Sequence, residues 1–449
     1  MKRILRFILG FFAAVLILVL VFLIIGIQSV DRTEPEAMDH YGRMMNQLDS
    51  LSDIKVPSPA AAIRTGFAKE NLTPAFPVAT AGYGKRRGKP YPAVHDSIFV
   101  RAVVFENGAA KVAVVSADLL IIPPRVTELL SRTLPEINFS LDNTYLNATH
   151  THNSIGNWGE GAAALIYGSY SDSIVTFIAD KITACIRKAD SDLRGSQLRS
   201  GSIPVPTAVK NRVDKQGSVD SLLHIVEVVR DDSSKLVVAS FNAHATCLYA
   251  KDLELSRDYP GVLVDDLENH GYDFAMFLSG AVGSHGMGAP EAGWSCLGWM
   301  SDEIMAKVDE LQPNLLPVED STIMMVRVPL YLDDPEIKIT EDLSLRPWLF
   351  RAALNEYQPY LTALRIGNII LLGTPCDYSG SLSAPVRKLA TENGFHLMIT
   401  SFNGHYIGYI TEDKYYDLPH YETRLMNWYG PGNGRYITEC LLRLQEALY

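Results

Sequence analysis

Tyr145-Leu-Asn-Ala-Thr-His-Thr-His-Asn-Ser154 decides how this chain is read. Taken as a strand, it alternates. Ala148, His150 and His152 fall on one face, and Asn147, Thr149 and Thr151 on the other. Two imidazoles on one face at a strand end make half of a metal site, because imidazole is the commonest metal ligand. A pair of solvated loop histidines is the competing reading. The segment Ile155-Gly-Asn-Trp-Gly-Glu-Gly161 follows at once and suits a pocket wall, which favours the metal.

Outward from this stretch, strand and helix patterns alternate. Residues 99–105 and 111–115 read as a hairpin around Glu106-Asn-Gly108. A helix over 126–134 leads into the histidine strand, and 173–189 has the period of an amphipathic helix. A second hairpin pairs 222–229 with 235–241. Helix 262–270, strand 274–278 and helix 302–311 come next. Strands over 322–328, 361–366 and 369–372 precede helix 383–393 and strand 396–402. No internal repeat, low-complexity segment or long linker divides the chain. The expected fold is one large α/β domain over 63–449, with mixed β-sheets flanked by helices.

The 449 residues carry a net charge of -11, with 47% hydrophobic and 20% charged residues. The acidic balance excludes a nucleic-acid partner. Away from the N-terminus the only dense basic run is Lys85-Arg-Arg-Gly-Lys89, which reads as a solvated loop. At the N-terminus Lys2, Arg3 and Arg6 precede residues 7–27, an unbroken run of apolar residues and glycine. About 20 such residues cross a bilayer core. The flanking cations stay cytoplasmic. The expected organisation is a cytoplasmic tail over 1–6, a transmembrane anchor over 7–27, and a stalk over 28–62 with a short helix within 36–51. The domain over 63–449 then lies outside the cytoplasm, in a periplasm or at a cell surface. A cleaved signal peptide is the rival, but its apolar region is usually about 7–15 residues, and Gly26-Ile-Gln-Ser29 is a poor cleavage site. Cys185, Cys247, Cys296, Cys376 and Cys440 are scattered without C-x-x-C spacing. They exclude a zinc ribbon or a disulfide framework and leave one or two bridges open.

Several further points suit chemistry. Phe241-Asn-Ala-His-Ala-Thr246 ends a strand with His244, a third ligand or a core histidine satisfied by backbone. Gly280-Ala-Val-Gly-Ser-His-Gly-Met-Gly288 follows a strand, and its glycines let backbone N–H groups approach a ligand. Its spacing is not that of a dinucleotide loop. Gly373-Thr-Pro-Cys-Asp377 offers a carboxylate after another strand, although Asp377 also suits a turn cap. Asn403-Gly-His-Tyr-Ile-Gly-Tyr-Ile-Thr411 and Tyr421-Glu422 form a tyrosine-rich C-terminal segment.

Together these elements resemble the neutral (non-lysosomal) ceramidases. The resemblance rests on Thr149-His-Thr-His152, with Gly82-Tyr-Gly84 upstream, and on His244 in its strand-end setting. It rests also on Tyr406-x-x-Tyr-Ile-Thr411, Tyr421-Glu422 and Tyr429-Gly-Pro431. It runs from about Ile63 onward and implies a zinc-dependent amidase cleaving the N-acyl bond of ceramide. By position it implies a zinc set of His150, His244, Asp377 and Tyr409. It implies substrate and transition-state contacts from His152, Arg212 and Tyr421. Asp377 stands where the family has glutamate. Gly286 stands where the family has its nucleophilic serine, which leaves Ser284 as the hydroxyl of that loop. The chain ends soon after Pro431, so the family's C-terminal β-sandwich is expected to be absent.

The expected activity is therefore hydrolysis of an N-acyl amide on a lipid or lipid-like substrate, with Zn2+ as cofactor. Zinc polarises a carbonyl and lowers the pKa of bound water to about 7. His152 would carry a proton to the leaving amine. Ser284 would be the nucleophile, or zinc-bound water would attack. A hydrolase of another ester, amide or phosphoester, or a binding protein that retains the fold, are the other classes left open. Oligomeric state is not readable from the sequence.

Overall fold

Apolar residues on both faces of most strands require cover on both sides, and the architecture supplies it. The computed structural model of the chain describes residues 2–355 and 357–449, without the side chains of residues 2, 19–21 and 23. Two helices, α1 (Lys2–Gly26) and α2 (Asp39–Asp49), precede the sheets. Strands β1 (Arg64–Asn71), β2 (Phe99–Glu106), β3 (Lys111–Ala117) and β4 (Thr144–Ala148) lie side by side in that order. So do β5 (Arg194–Pro204), β6 (Leu222–Arg230), β7 (Lys235–Phe241) and β8 (Phe274–Ser279). Antiparallel pairing of Arg64 and Thr65 with Gly195 and Arg194 joins the two runs into one nine-stranded sheet. Its ninth strand, β9 (Leu316–Val318), adds beside β5. A separate four-stranded sheet holds β10 (Ile323–Pro329), β11 (Tyr360–Ile366), β12 (Ile369–Gly373) and β13 (His396–Thr400).

The three four-strand runs share one construction. Three strands pair antiparallel, a helix crosses over, and the fourth strand lies parallel to the third. The crossover helices are α3 (Pro124–Thr133), α5 (Asp258–Asn269) and α7 (Ser383–Glu392), numbered with the helices that follow each run. Those are α4 (Asp172–Ser191), α6 (Trp294–Leu311) and α8 (Asn433–Glu446). The repeat lies in the order of elements and not in the residues, which is why the sequence shows none.

Strand alternation then builds a sandwich. Val103, Phe105, Val112 and Val114 share a core with Val226 and Val238 and with Leu364, Ile366, Ile369 and Leu371 of the smaller sheet. The alternate residues Val100, Ala102, Val104, Ala113 and Val115 pack with Ile178 and Ile182 of α4. Val237, Ala239 and Phe241 pack with Leu263 of α5 and Ile304 of α6. Ile370 and Leu372 pack with Leu441 and Leu444 of α8. The layers run helices, large sheet, small sheet, helices. Each fully buried aliphatic side chain contributes about 1.5–3 kcal/mol. Burial on both faces explains the near-continuous apolar strands.

The expected α/β class and mixed sheets are present. Strands β1 and β5 and helix α8 had not been anticipated. Arg-Gly-Ser-Gln-Leu-Arg-Ser-Gly-Ser-Ile-Pro of β5 is mostly polar because many of its side chains are only partly covered. Helix α6 begins at Trp294, not at residue 302. The segment 28–62 does not stand away as a stalk. Ile27–Ser29 pairs with Leu343–Leu345, and α2 buries Met44, Met45 and Leu48 in the core shared with α8. Helix α1 is continuous, and its described large apolar side chains are exposed. Among the described residues no single helix is long and apolar enough to cross a membrane; within α1 the longest stretch with described side chains is 3–18. One disulfide, Cys247–Cys296, ties the loop after β7 to the first turn of α6, and Cys185, Cys376 and Cys440 are buried thiols.

Because Met44 and Leu48 are buried, Met44→Ala and Leu48→Ala should each cost about 2–5 kcal/mol in urea unfolding of the full chain. A cost below about 0.5 kcal/mol, the scale of surface changes, would show that α2 is not part of the core.

Candidate metal centre

The carboxyl ends of the three runs meet, and they are stitched together by short polar side chains. Asn147, at the end of β4, donates to the carbonyl of Ser401 at 2.7 Å, and its own oxygen accepts from the Ser279 N–H at 3.2 Å. The Ser279 hydroxyl donates to the Thr149 carbonyl at 2.8 Å, and Ser401 N–H donates to the Ser279 carbonyl at 3.0 Å. This floor gathers the chain segments that follow β4, β7, β12 and β13. Open α/β sheets bind their ligands at such strand ends.

The histidine stretch does not continue as a strand. β4 stops at Ala148, and His150 sits at φ 61°, in the left-handed region. The two histidines therefore do not share a strand face, and the bend after Ala148 is what turns both toward one point. His152 Nε2 lies 3.1 Å from His150 Nε2, which lies 2.9 Å from His244 Nε2. His150 Nδ1 faces the Leu120 carbonyl at 2.6 Å, and His244 Nδ1 faces the Val282 carbonyl at 3.4 Å. With the proton of each ring on the nitrogen that faces a carbonyl, the Nε2 lone pairs of both rings face each other. Such an arrangement is attractive only with a cation between them.

Asp377 lies against the cluster. Tyr406 donates to its Oδ2 at 2.5 Å, which turns Oδ1 toward His150 and His244, 3.7 Å from each Nε2. That Oδ1 is fully buried and accepts no hydrogen bond. The Tyr409 hydroxyl lies 3.3 Å from His244 Nε2 and accepts from Arg212 at 2.9 Å. Glu422 holds the other side of that guanidinium at 2.7 Å.

The electrostatics are those of a cation site. Burial lowers His150 to about 3 and holds His152 and His244 well below the usual histidine range. Burial pushes Asp377 up to about 7 against its bond from Tyr406. Burial and the Asp377 charge hold the Tyr409 hydroxyl well above its ordinary value. Three neutral imidazoles, an orphaned carboxylate oxygen and a phenol form a donor set of nitrogen and oxygen that suits a borderline divalent ion such as zinc. His150, His152 and His244 offer ligand atoms that all lie within 4.8 Å of one another.

Other sequence-singled residues fall in different places. Arg212 reaches the cluster through Tyr409. Tyr421 is half exposed, with its ring edge-on to Tyr409 at 5.8 Å. Ser284 is buried, and its hydroxyl is engaged by His285 Nδ1 at 2.7 Å and by Ser379 Oγ. His285 Nε2 accepts from the Asp220 N–H at 2.8 Å, so Nδ1 carries the proton and donates. No imidazole lone pair is left to activate Ser284. The glycine loop is also less open than expected, because His285–Met287 pairs with Val209–Asn211.

Three contributors had no clear signal. Phe402 stacks on His150 with ring centroids 3.8 Å apart. Glu422 was visible only as the neighbour of Tyr421. Arg86, expected in a solvated loop, is buried, and burial lowers it to about 10. It donates to the carbonyls of Ala81, His152, Ala250 and Asp252 and to Asn153 Oδ1. Gly82 allows the close approach: a Cβ there would lie 2.3 Å from the His152 carbonyl oxygen, at φ 112°.

Residues 64–271 match the sequence model of the neutral/alkaline non-lysosomal ceramidases, N-terminal region. The crystal structure of neutral ceramidase from Pseudomonas aeruginosa superposes with a TM-score of 0.74 at 18% identity, covering 86% of this chain and 75% of that one. This is the neutral-ceramidase fold. A ceramidase complexed with C2 superposes with a TM-score of 0.75 at 18% identity, over 86% of this chain and 76% of that one. No curated protein matches in sequence. The family resemblance read from the motifs thus holds over residues 64–271, and the likeness of fold extends over most of the chain.

Elemental analysis of the purified full chain should find about one zinc-class divalent ion per molecule, since structural and catalytic sites of this donor type hold one ion. His150→Ala and His244→Ala should each lose it. Full occupancy in both variants would remove the cluster as the metal centre.

Proposed function

We propose that the chain is a zinc-dependent amidase that cleaves the N-acyl bond of a lipid or lipid-like amide. The observation that supports this best is the convergence of the Nε2 atoms of His150, His152 and His244, two of which, those of His150 and His244, lie 3.7 Å from the orphaned Oδ1 of Asp377. The family match over residues 64–271 favours amide hydrolysis, and the similar ceramidase complexed with C2 favours a lipid amide. His150, His244, Asp377 and Tyr409 are the proposed zinc ligands, with His152 beside them as proton carrier.

Zinc, when bound, supplies Lewis-acid polarisation of the carbonyl and lowers the pKa of a water molecule. The chain does the rest. The Leu120 and Val282 carbonyls hold the Nδ1 protons of His150 and His244, which fixes each tautomer. Tyr406 orients Asp377. Arg212, braced by Glu422, donates to the Tyr409 oxygen and so brings positive charge beside the site, where it would help to stabilise the negative charge that develops on the substrate's carbonyl oxygen as the acyl carbon becomes tetrahedral. His152, with its Nε2 3.1 Å from that of His150, is the proposed proton carrier to the leaving amine. Tyr421, half exposed beside Tyr409, is the proposed substrate contact. With the Ser284 hydroxyl already committed, water is the attacking group.

Fluorogenic N-acyl amides and esters offered to the full chain test this reading. Turnover of a long-chain amide, lost on metal removal and in His150→Ala, is expected. No turnover of any acyl amide by the metal-loaded protein would sink it. Ser284→Ala should stay within about threefold of the parent, well under the ~10²–10³ loss of one oxyanion donor. A loss of several orders with metal retained would restore the serine as nucleophile.

Placement belongs to the same proposal. Residues 7–27 anchor the chain with the domain outside the cytoplasm, an orientation the cations before the apolar run favour. Protease added after the outer barrier is opened should digest the domain while the N-terminal segment stays with the membrane. Full protection of the domain would reverse the orientation.

A further inference from the structure

Some of the exposed apolar side chains outside α1 lie in one chain of contacts that starts at its last turn. Trp348, in the short helix Pro347–Ala353, is 46% exposed, and its indole N–H donates to the Ile25 carbonyl in the last turn of α1 at 2.9 Å. Beside it Phe22, Ile24 and Ile25 are exposed. The far end of that helix abuts the next apolar element: a Cβ on Gly161 would lie 2.8 Å from the Ala353 carbonyl. Gly161 opens the helical segment Gly161–Tyr167, which exposes Leu165 and Ile166. Ile166 in turn touches the basic run. Its carbonyl accepts from Gly88 N–H at 2.9 Å, and its side chain lies 3.4 Å from the Cβ position of Gly84. The cations Lys85, Arg87 and Lys89 are all exposed there, and Arg346 is exposed beside Trp348.

This rim borders the metal centre. Phe350, on the buried face of the Trp348 helix, meets Trp428 at 5.2 Å, and Trp428 meets Tyr406 at 5.7 Å. Tyr406 is the residue that holds Asp377. Leu425, 50% exposed, sits one helical turn from Tyr421, whose ring meets Tyr409.

We propose that Trp348, Leu165, Ile166 and Leu425, with the cations of 85–89, form a docking face for an anionic lipid bilayer. Three observations favour lipid over a protein partner. The face is continuous with the apolar end of α1. It carries an indole at the level where that helix leaves the domain, as tryptophans do at membrane interfaces. The densest positive charge outside the N-terminus flanks its apolar tip in a chain of net charge -11, the combination that binds acidic lipid surfaces. The orientation brings the site toward the surface from which a lipid amide would come, and in that respect the inference rests on the proposed function. The docking itself does not.

The test uses the full chain reconstituted in phosphatidylcholine vesicles with and without phosphatidylserine. Brominated lipids should quench a fluorescence component that Trp348→Phe removes. Amide exchange over 84–89, 161–168 and 346–352 should slow on the anionic vesicles. Lys85→Gln/Arg87→Gln/Lys89→Gln should weaken docking about a hundredfold, from ~1 kcal/mol per surface cation. Leu165→Ser/Ile166→Ser should lower turnover of a vesicle-borne amide and spare that of a water-soluble one. A rim unprotected on both vesicle types overturns the proposal. So does protection that follows protein concentration instead of lipid, which would assign the face to a second copy. If no amide is turned over, quenching and exchange still decide the docking.

Discussion

Two imidazole lone pairs held 2.9 Å apart in a buried site are the constraint on which the rest of this structure depends. Neutral nitrogens repel at that separation, and burial denies both rings the proton that would relieve it. The surrounding groups fix the arrangement instead of softening it. Backbone carbonyls take the Nδ1 protons, Phe402 lies flat on one ring, and Tyr406 steers a carboxylate oxygen toward the same point. A fold that holds its ligands in place before the ion arrives avoids spending binding energy on ordering them.

Much of the site could be read from the chain because its residues directly follow apolar strands, and a strand end is where a sheet leaves polar side chains free. His150, His244 and Asp377 sit in such places, Tyr409 comes nine residues after β13 and pairs with Asp377, and the structure brings the four together. The left-handed backbone of His150 was not readable, since histidine adopts it only when tertiary contacts demand it. Nor was the burial of Arg86. A cation in a run of cations looks solvated until six oxygens converge on it from loops more than sixty residues away as well as nearby. Phe402 gave no signal because one aromatic residue after a strand is ordinary.

The sheets show the same division. Hairpins and crossovers were legible where apolar periodicity was strong, as in β2, β3, β6 and β7. β5 was missed because it packs through few side chains. Segment 28–62 reads as a stalk in the sequence because helical spacing in α2 says that a face will be buried, but not what will bury it. That partner, α8, lies some four hundred residues later. The threefold repeat of elements leaves no trace in the sequence for a related reason. Topology is kept by the pairing of strands, which many residues satisfy.

The stitching of the three runs through Asn147, Ser279 and Ser401 would couple the binding of an ion at the proposed site to folding. His150, His244 and Asp377 come from different runs, so no single run in isolation offers a complete donor set. An ion that binds only the assembled state raises the stability of all three together, by about 2.7 kcal/mol at a hundredfold excess over its Kd. The same linkage works in reverse. A destabilised core anywhere in the sandwich is felt as weaker metal affinity, so a variant remote from the histidines can behave like a ligand mutant when the ion is scarce.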